Sequence, residues 1–166
     1  MFSKISEFLD AWRYETDGTL KILKALTDES LAQPVAPGGR SLGFIAWHIT
    51  TTLGEMMGHA GVTADAPNEK SPMPAAAAAI AAAYEQGAKA VAEAVKTNWS
   101  DEQLGDDVAM YGETWKKGAV LGALIAHQCH HRGQMTVLMR QAGLKVPGVY
   151  GPAREEWPAY GMEAQP

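Results

Sequence analysis

The stretch AHQCHHRGQM, residues 126–135, places His127, His130 and His131 within five positions of a chain that holds only five histidines. It sits inside a segment from about Lys117 to Ala142, with Gly143 where a helix C-cap belongs. At about 100° per residue, His127 and His131 point within roughly 40° of each other, one turn apart. Leu124, Gln134 and Leu138 share that stripe, whereas Cys129, Arg132, Gly133 and Thr136 fall on the far side. His127 and His131 therefore face a core, and His130 lies to one flank, about 60° from His127.

Three more segments read as helices, and none reads as a strand. The first runs roughly from Ser3 to Leu26, with Phe8, Leu9, Trp12, Leu20, Ile22, Leu23 and Leu26 recurring at helical spacing. The loop TDESLAQPVAPGGR ends it with two prolines and a Gly-Gly pair. The second starts at Ser41, an N-cap by type, and runs to about His59, with Gly61 placed for its C-cap. The third, AAAAAIAAAYEQGAKAVAEAVKTNW, follows Pro74, which suits a first helical turn. Four such segments predict an all-α four-helix bundle in a single domain over residues 1–166, with an irregular tail after Gly143. The linkers around 27–40 and 61–74 exceed minimal hairpin loops, so at least one of them is expected to be a long crossover.

Composition bounds the function. The 166 residues carry a formal net charge of −5, and only Lys116 and Lys117 are adjacent cations. That disfavours the basic stripe of a nucleic-acid binder. No apolar run is long enough for a bilayer, and MFSKISEFLD is not a secretory leader. The single cysteine, Cys129, excludes an internal disulfide framework and suits a reducing compartment, so a cytoplasmic address is expected. NWS at 98–100 matches a glycosylation acceptor by chance.

Two imidazoles do not complete a metal site, which usually takes at least three protein ligands. His48 and His59 are the remaining histidines, about 16 Å apart along one helix, so one ion cannot use both. His48 lies mid-helix among the apolar residues of GFIAWHI, and it is the better third ligand. His59 sits near a helix C-terminus, where the macrodipole favours a protonated ring. The competing reading is that these histidines are hydrogen-bonded packing residues. Gln128 occupies the glutamate position of an H-E-x-x-H motif and cannot serve as a general base, which excludes a zincin.

The stretches AHQCHHRGQMTVLMRQAGLKVPGVYGP and GRSLGFIAWHI resemble the last helix with its tail, and the start of the second helix, of the DinB-like (DinB/YfiT) family of metalloenzymes. The resemblance implies a four-helix bundle with a long crossover and a divalent metal, zinc or nickel, held by His48, His127 and His131. It also implies a homodimer, and relatives that include thiol-dependent isomerases and transferases.

Three neutral imidazoles would leave an ion with an open position, where a water or a low-molecular-weight thiol becomes nucleophilic near neutral pH. The expected function is thus a metal-dependent enzyme acting on a small-molecule substrate, either thiol S-transferase-like or hydrolase-like. The alternative is a non-catalytic, metal-stabilised dimeric stress-response or binding module. Around the site, Gln134 reads either as a partner of a ligand or water or as a packed amide. Glu55 reads as orienting His59, contacting substrate or standing as a structural carboxylate. Arg132 reads as a salt-bridge or interface residue, and Gly133 as a point of close approach by a helix or subunit. Tyr111, Trp115, Tyr150 and Trp157 either roof a pocket or pack in the core and tail.

Overall fold

The computed structural model describes residues 1–164; the last two residues of the expected domain and tail lie outside the described residues. Four helices carry the fold: α1 (Ile5–Lys24), α2 (Leu42–His59), α3 (Ala77–Asn98) and α4 (Lys117–Gln141). They bury one continuous core that includes Phe8 and Trp12 of α1, Ile49 and Leu53 of α2, Ile80 and Val91 of α3, and Leu121 and Leu124 of α4. The expected all-α bundle is the observed one.

Local chemistry sets the helix ends. The Ser41 hydroxyl accepts from the Phe44 amide at 3.1 Å, so the N-cap read from its residue type is real. Gly61 and Gly143 follow α2 and α4 at φ +81° and +75°, the left-handed geometry that ends a helix without a Cβ penalty. The third segment begins later than Pro74 implied. Its first residue is Ala77, and the cap comes from elsewhere in the chain: Asp28 Oδ1 accepts from the Ala77 amide at 2.7 Å. The first helix is also shorter than Ser3–Leu26 by two residues at each end.

Each helix packs on two neighbours: α1 on α3 and α4, and α2 on the same pair. The linker from α2 to α3 is the long crossover. Gly54 N donates to Pro67 O at 3.2 Å, and Trp47 Nε1 donates to Ser71 O at 3.1 Å. As the linker number rises, its partner on α2 falls, so the chain runs back along α2 before α3 starts. Gly54 makes this return possible, because a Cβ there would lie 2.5 Å from Pro67 O.

The passage from α3 to α4 corrects the strand-free expectation. It holds an antiparallel hairpin of β1 (Asp107–Met110) and β2 (Glu113–Lys116). The turn residues Tyr111 and Gly112 both have positive φ, +52° and +84°, the sign pattern of a type I′ turn. Tyrosine at the first turn position hides that turn from a reading that looks for Asn-Gly or Asp-Gly.

The tail is pinned by a polar cluster on the α1 side of α4. Arg132, nearly fully buried, pairs with Glu15 Oε2 at 2.6 Å and donates to Glu15 O at 2.9 Å and Thr19 Oγ1 at 3.0 Å. The Tyr150 hydroxyl donates to Glu15 Oε2 at 2.7 Å, contacts Arg132, and lies 3.0 Å from Cys129 Sγ. Burial raises the Glu15 carboxyl, but hydrogen bonds from Tyr150, Arg132 and Cys129 outweigh it and hold the group below its ordinary value. The salt bridge read for Arg132 is therefore present. Tyr150 packs here and does not roof the histidines.

Glu15→Ala leaves a buried guanidinium unpaired, and we expect a loss of about 3 kcal/mol in urea unfolding, against about 1 kcal/mol for Tyr150→Phe. Because the Glu15 pKa is depressed in the fold, its contribution is present above the ordinary carboxylate range and is lost as pH falls through the folded value. A Glu15→Ala variant as stable as the parent protein would contradict this arrangement.

Candidate metal centre

The facing surfaces of α2 and α4 bring His48, His127 and His131 together. One ligand-capable nitrogen from each lies within 4.8 Å of the others. The ring centroids form a closed triangle: 5.0 Å from His48 to His127, 4.7 Å from His48 to His131 and 4.4 Å from His127 to His131. Nε2 of His48 stands 3.2 Å from Nε2 of His127. Two imidazole nitrogens on one tetrahedral zinc are about 3.4 Å apart, so this pair already has nearly the spacing of co-ligands. His59 and His130 stay outside the cluster, as the helical geometry required.

Gln128 sets this alignment. It is fully buried, and its Nε2 donates across the helix interface to Ile49 O at 3.0 Å. His127 and His48 are the immediate predecessors of Gln128 and Ile49. The amide thus ties this turn of α4 to this turn of α2, with its Oε1 left buried and unpaired, and the two rings meet one residue away. Sequence reasoning used Gln128 only to exclude a zincin. The signal available was a glutamine on an otherwise core-facing surface, and such a residue must find a partner.

Gln134 supplies the second positioning contact. Its Oε1 accepts from His131 Nδ1 at 2.8 Å, and its Nε2 donates to His130 Nε2 at 3.1 Å. A carbonyl oxygen on Nδ1 places the proton there and leaves the Nε2 lone pair of His131 bare for the cluster. Of the two readings open for Gln134, the polar one holds. Glu55 does not join the three rings. It accepts from the Tyr111 hydroxyl at 3.0 Å and lies 3.7 Å from His59 Nε2, so it ties the hairpin to the end of α2. Cys129 turns toward Glu15 and Tyr150, away from the cluster. Gly133 is exposed, and a Cβ added there would meet nothing within 4 Å.

The electrostatics keep the rings neutral. Burial is the largest cause of a lowered pKa at all three, followed by the other imidazoles at His48 and His127. At His131 the Gln134 hydrogen bond opposes the burial effect. His127 falls furthest, to about 4, and its Nδ1 is buried without a partner. Neutral imidazoles with unshared lone pairs are the donors that borderline divalent ions take, so the donor set fits such an ion. Among the described residues, the cluster has no fourth histidine, cysteine or carboxylate.

A family model described as the DinB family matches residues 1–164. The chain belongs to the DinB family. It is 47% identical over 164 residues to the Bacillus subtilis (strain 168) protein named uncharacterized protein YrdA, covering 99% of this chain and 98% of that one. A crystal structure of a DinB-like protein from Bacillus cereus ATCC 10987 superposes with a TM-score of 0.87 at 45% identity, over 90% of this chain and all of the other. The DinB-like protein YjoA of Bacillus subtilis shares the fold, with a TM-score of 0.68 at 16% identity over 86% and 97% of the two chains.

In metal-free protein the His127 ring should remain neutral to about pH 4, read from its ring-proton NMR shifts. Its unfolded-state pKa is near 6.5, so stability is full above that value and falls as pH drops toward 4. Titration of His127 near 6.5 would contradict the described burial. Separately, Gln128→Leu should cost about 1–3 kcal/mol and disturb the His48–His127 contact, seen as shifted ring resonances of both. Unchanged ring resonances would remove Gln128 from its positioning role.

Proposed function

We propose that this DinB protein binds one divalent metal ion, zinc or nickel, through His48, His127 and His131, and uses it as a metal-dependent enzyme on a small-molecule substrate. The single observation that carries the reading is a convergent set of three neutral imidazoles with, among the described residues, no fourth protein donor. A structural zinc site is normally closed by four protein ligands, whereas catalytic sites use three and keep a position open. A divalent ion there supplies the Lewis acidity that makes a thiol or a water nucleophilic near neutral pH.

The chain's own residues support that chemistry in defined ways. Gln134 holds His131 in the tautomer that exposes Nε2. Gln128 fixes the α2–α4 alignment. Burial disfavours protons on all three rings, so protons compete weakly for the site at neutral pH. Cys129 is committed to the Glu15–Tyr150 cluster, so the nucleophile is exogenous, either a low-molecular-weight thiol or water.

Protein purified without a histidine tag should carry about one divalent ion per chain by elemental analysis. His131→Ala should lose it while keeping the helical circular-dichroism signal. Chelation should lower the melting temperature of the parent protein and leave that of His131→Ala unchanged, because only native-state binding adds stability by mass action. Metal retained at full stoichiometry in His131→Ala would overturn the ligand assignment.

A further inference from the structure

A cation without an acidic partner among the described residues stands one aromatic ring away from the imidazole cluster. Arg40 immediately precedes the Ser41 cap of α2. Its guanidinium lies over the Phe44 ring, 5.1 Å from the centroid. That ring in turn stacks on His48 at 6.2 Å, with 16° between the planes. Phe44 and His48 are one turn apart on α2, and Arg40, just before the cap, extends their column by its contact with Phe44, with the cation at one end and a cluster imidazole at the other. The Arg40 charge also makes a minor contribution to lowering both His48 and His131. Buried Arg132 and surface Arg140 pair with Glu15 and Glu155; among the described residues, Arg40 has no acidic partner, as is also true of Arg13 and Arg154, and of these three only Arg40 lies over a ring that stacks on a cluster imidazole.

A cleft of about 420 Å³ continues from this column. Arg40 and Gln134 line it together with Val35, Ile45, Val137 and Leu138. Gln134 is the residue that holds His131, so one side chain links the cleft to the imidazole cluster, although none of the three histidines lines the cleft itself. Val35, Phe44 and Val137 are about half exposed and together present apolar surface around the cation. Such a cleft suits an elongated ligand with an apolar middle and an anion at its far end.

We propose that Arg40 and this cleft are the specificity subsite of the histidine centre, binding the carboxylate of a small substrate or co-substrate whose other end is held at the imidazoles. Phe44, Val35 and Val137 flank its apolar segment. The inference rests on the reading of the histidines as a metal site. Arg40 touches the distal group and not the reacting atoms, so it sets affinity and selectivity.

The test uses full-length protein loaded with cobalt(II) and two thiols of equal length, mercaptohexanoate and mercaptohexanol. Binding is read from the sulfur-to-cobalt charge-transfer band. The parent protein should bind the carboxylate thiol at least about fivefold more tightly than the alcohol. Arg40→Gln should bring that ratio to about one, and Arg40→Lys should restore part of it, since lysine keeps the charge and loses the planar fork. The ratio cancels any effect of the charge on the sulfur itself. A ratio unchanged in Arg40→Gln, at full cobalt occupancy, would overturn the subsite and leave the metal reading intact. Failure of the parent protein to take up cobalt would overturn both.

Discussion

The hydrogen bond from Gln128 to the Ile49 carbonyl is the constraint on which the site depends. Two helices packed only through apolar side chains can slide by fractions of a turn at modest cost. A buried amide that must reach one particular carbonyl cannot, because an unpaired partner costs about 1–3 kcal/mol. With that bond made, His48 and His127 have one relative placement, and their Nε2 atoms stand 3.2 Å apart. His131 follows one turn later on α4 and is held from behind by Gln134. The fold thus brings three like groups together in a half-buried place where protonating them is unfavourable.

The opposite side of α4 anchors the same helix. Arg132, next in sequence to His131, points away from the imidazoles and is locked by Glu15, Thr19 and Tyr150. One stretch of six residues, His127 to Arg132, therefore serves two polar clusters, one on each side of α4. Cys129 belongs to the α1-facing cluster, so its thiol completes an ion-pair network. The crossover between α2 and α3 packs on the α2 surface through Gly54 and Trp47, and leaves the α2–α4 interface free for the imidazoles.

Much of this was legible in the sequence. Helical spacing alone placed His127 and His131 on one side and Cys129 and Arg132 on the other, because a 3.6-residue period fixes direction without knowledge of neighbours. His48 followed from its apolar surroundings, and Ser41, Gly61 and Gly143 marked helix ends through local chemistry. What escaped depends on contacts far apart in sequence or on unusual turn residues. The α3 cap is Asp28, 49 residues upstream, and no local pattern reveals it. The hairpin at 107–116 turns on Tyr111, whose positive φ is held by the surrounding structure against its own preference. The role of Gln128 escaped because its partner is a backbone carbonyl, and carbonyls carry no sequence signature.

X-ray absorption at the metal edge, on untagged protein loaded with one equivalent of zinc or nickel, tests the central claim most directly. Three imidazole nitrogens at about 2.0–2.1 Å, with multiple scattering from three rings and the remaining shell filled by exchangeable light atoms, is the expected spectrum. In His48→Ala the imidazole scattering should fall by one ring. A shell without imidazole scattering, or one in which sulfur or carboxylate oxygen from the chain closes the site, would contradict it.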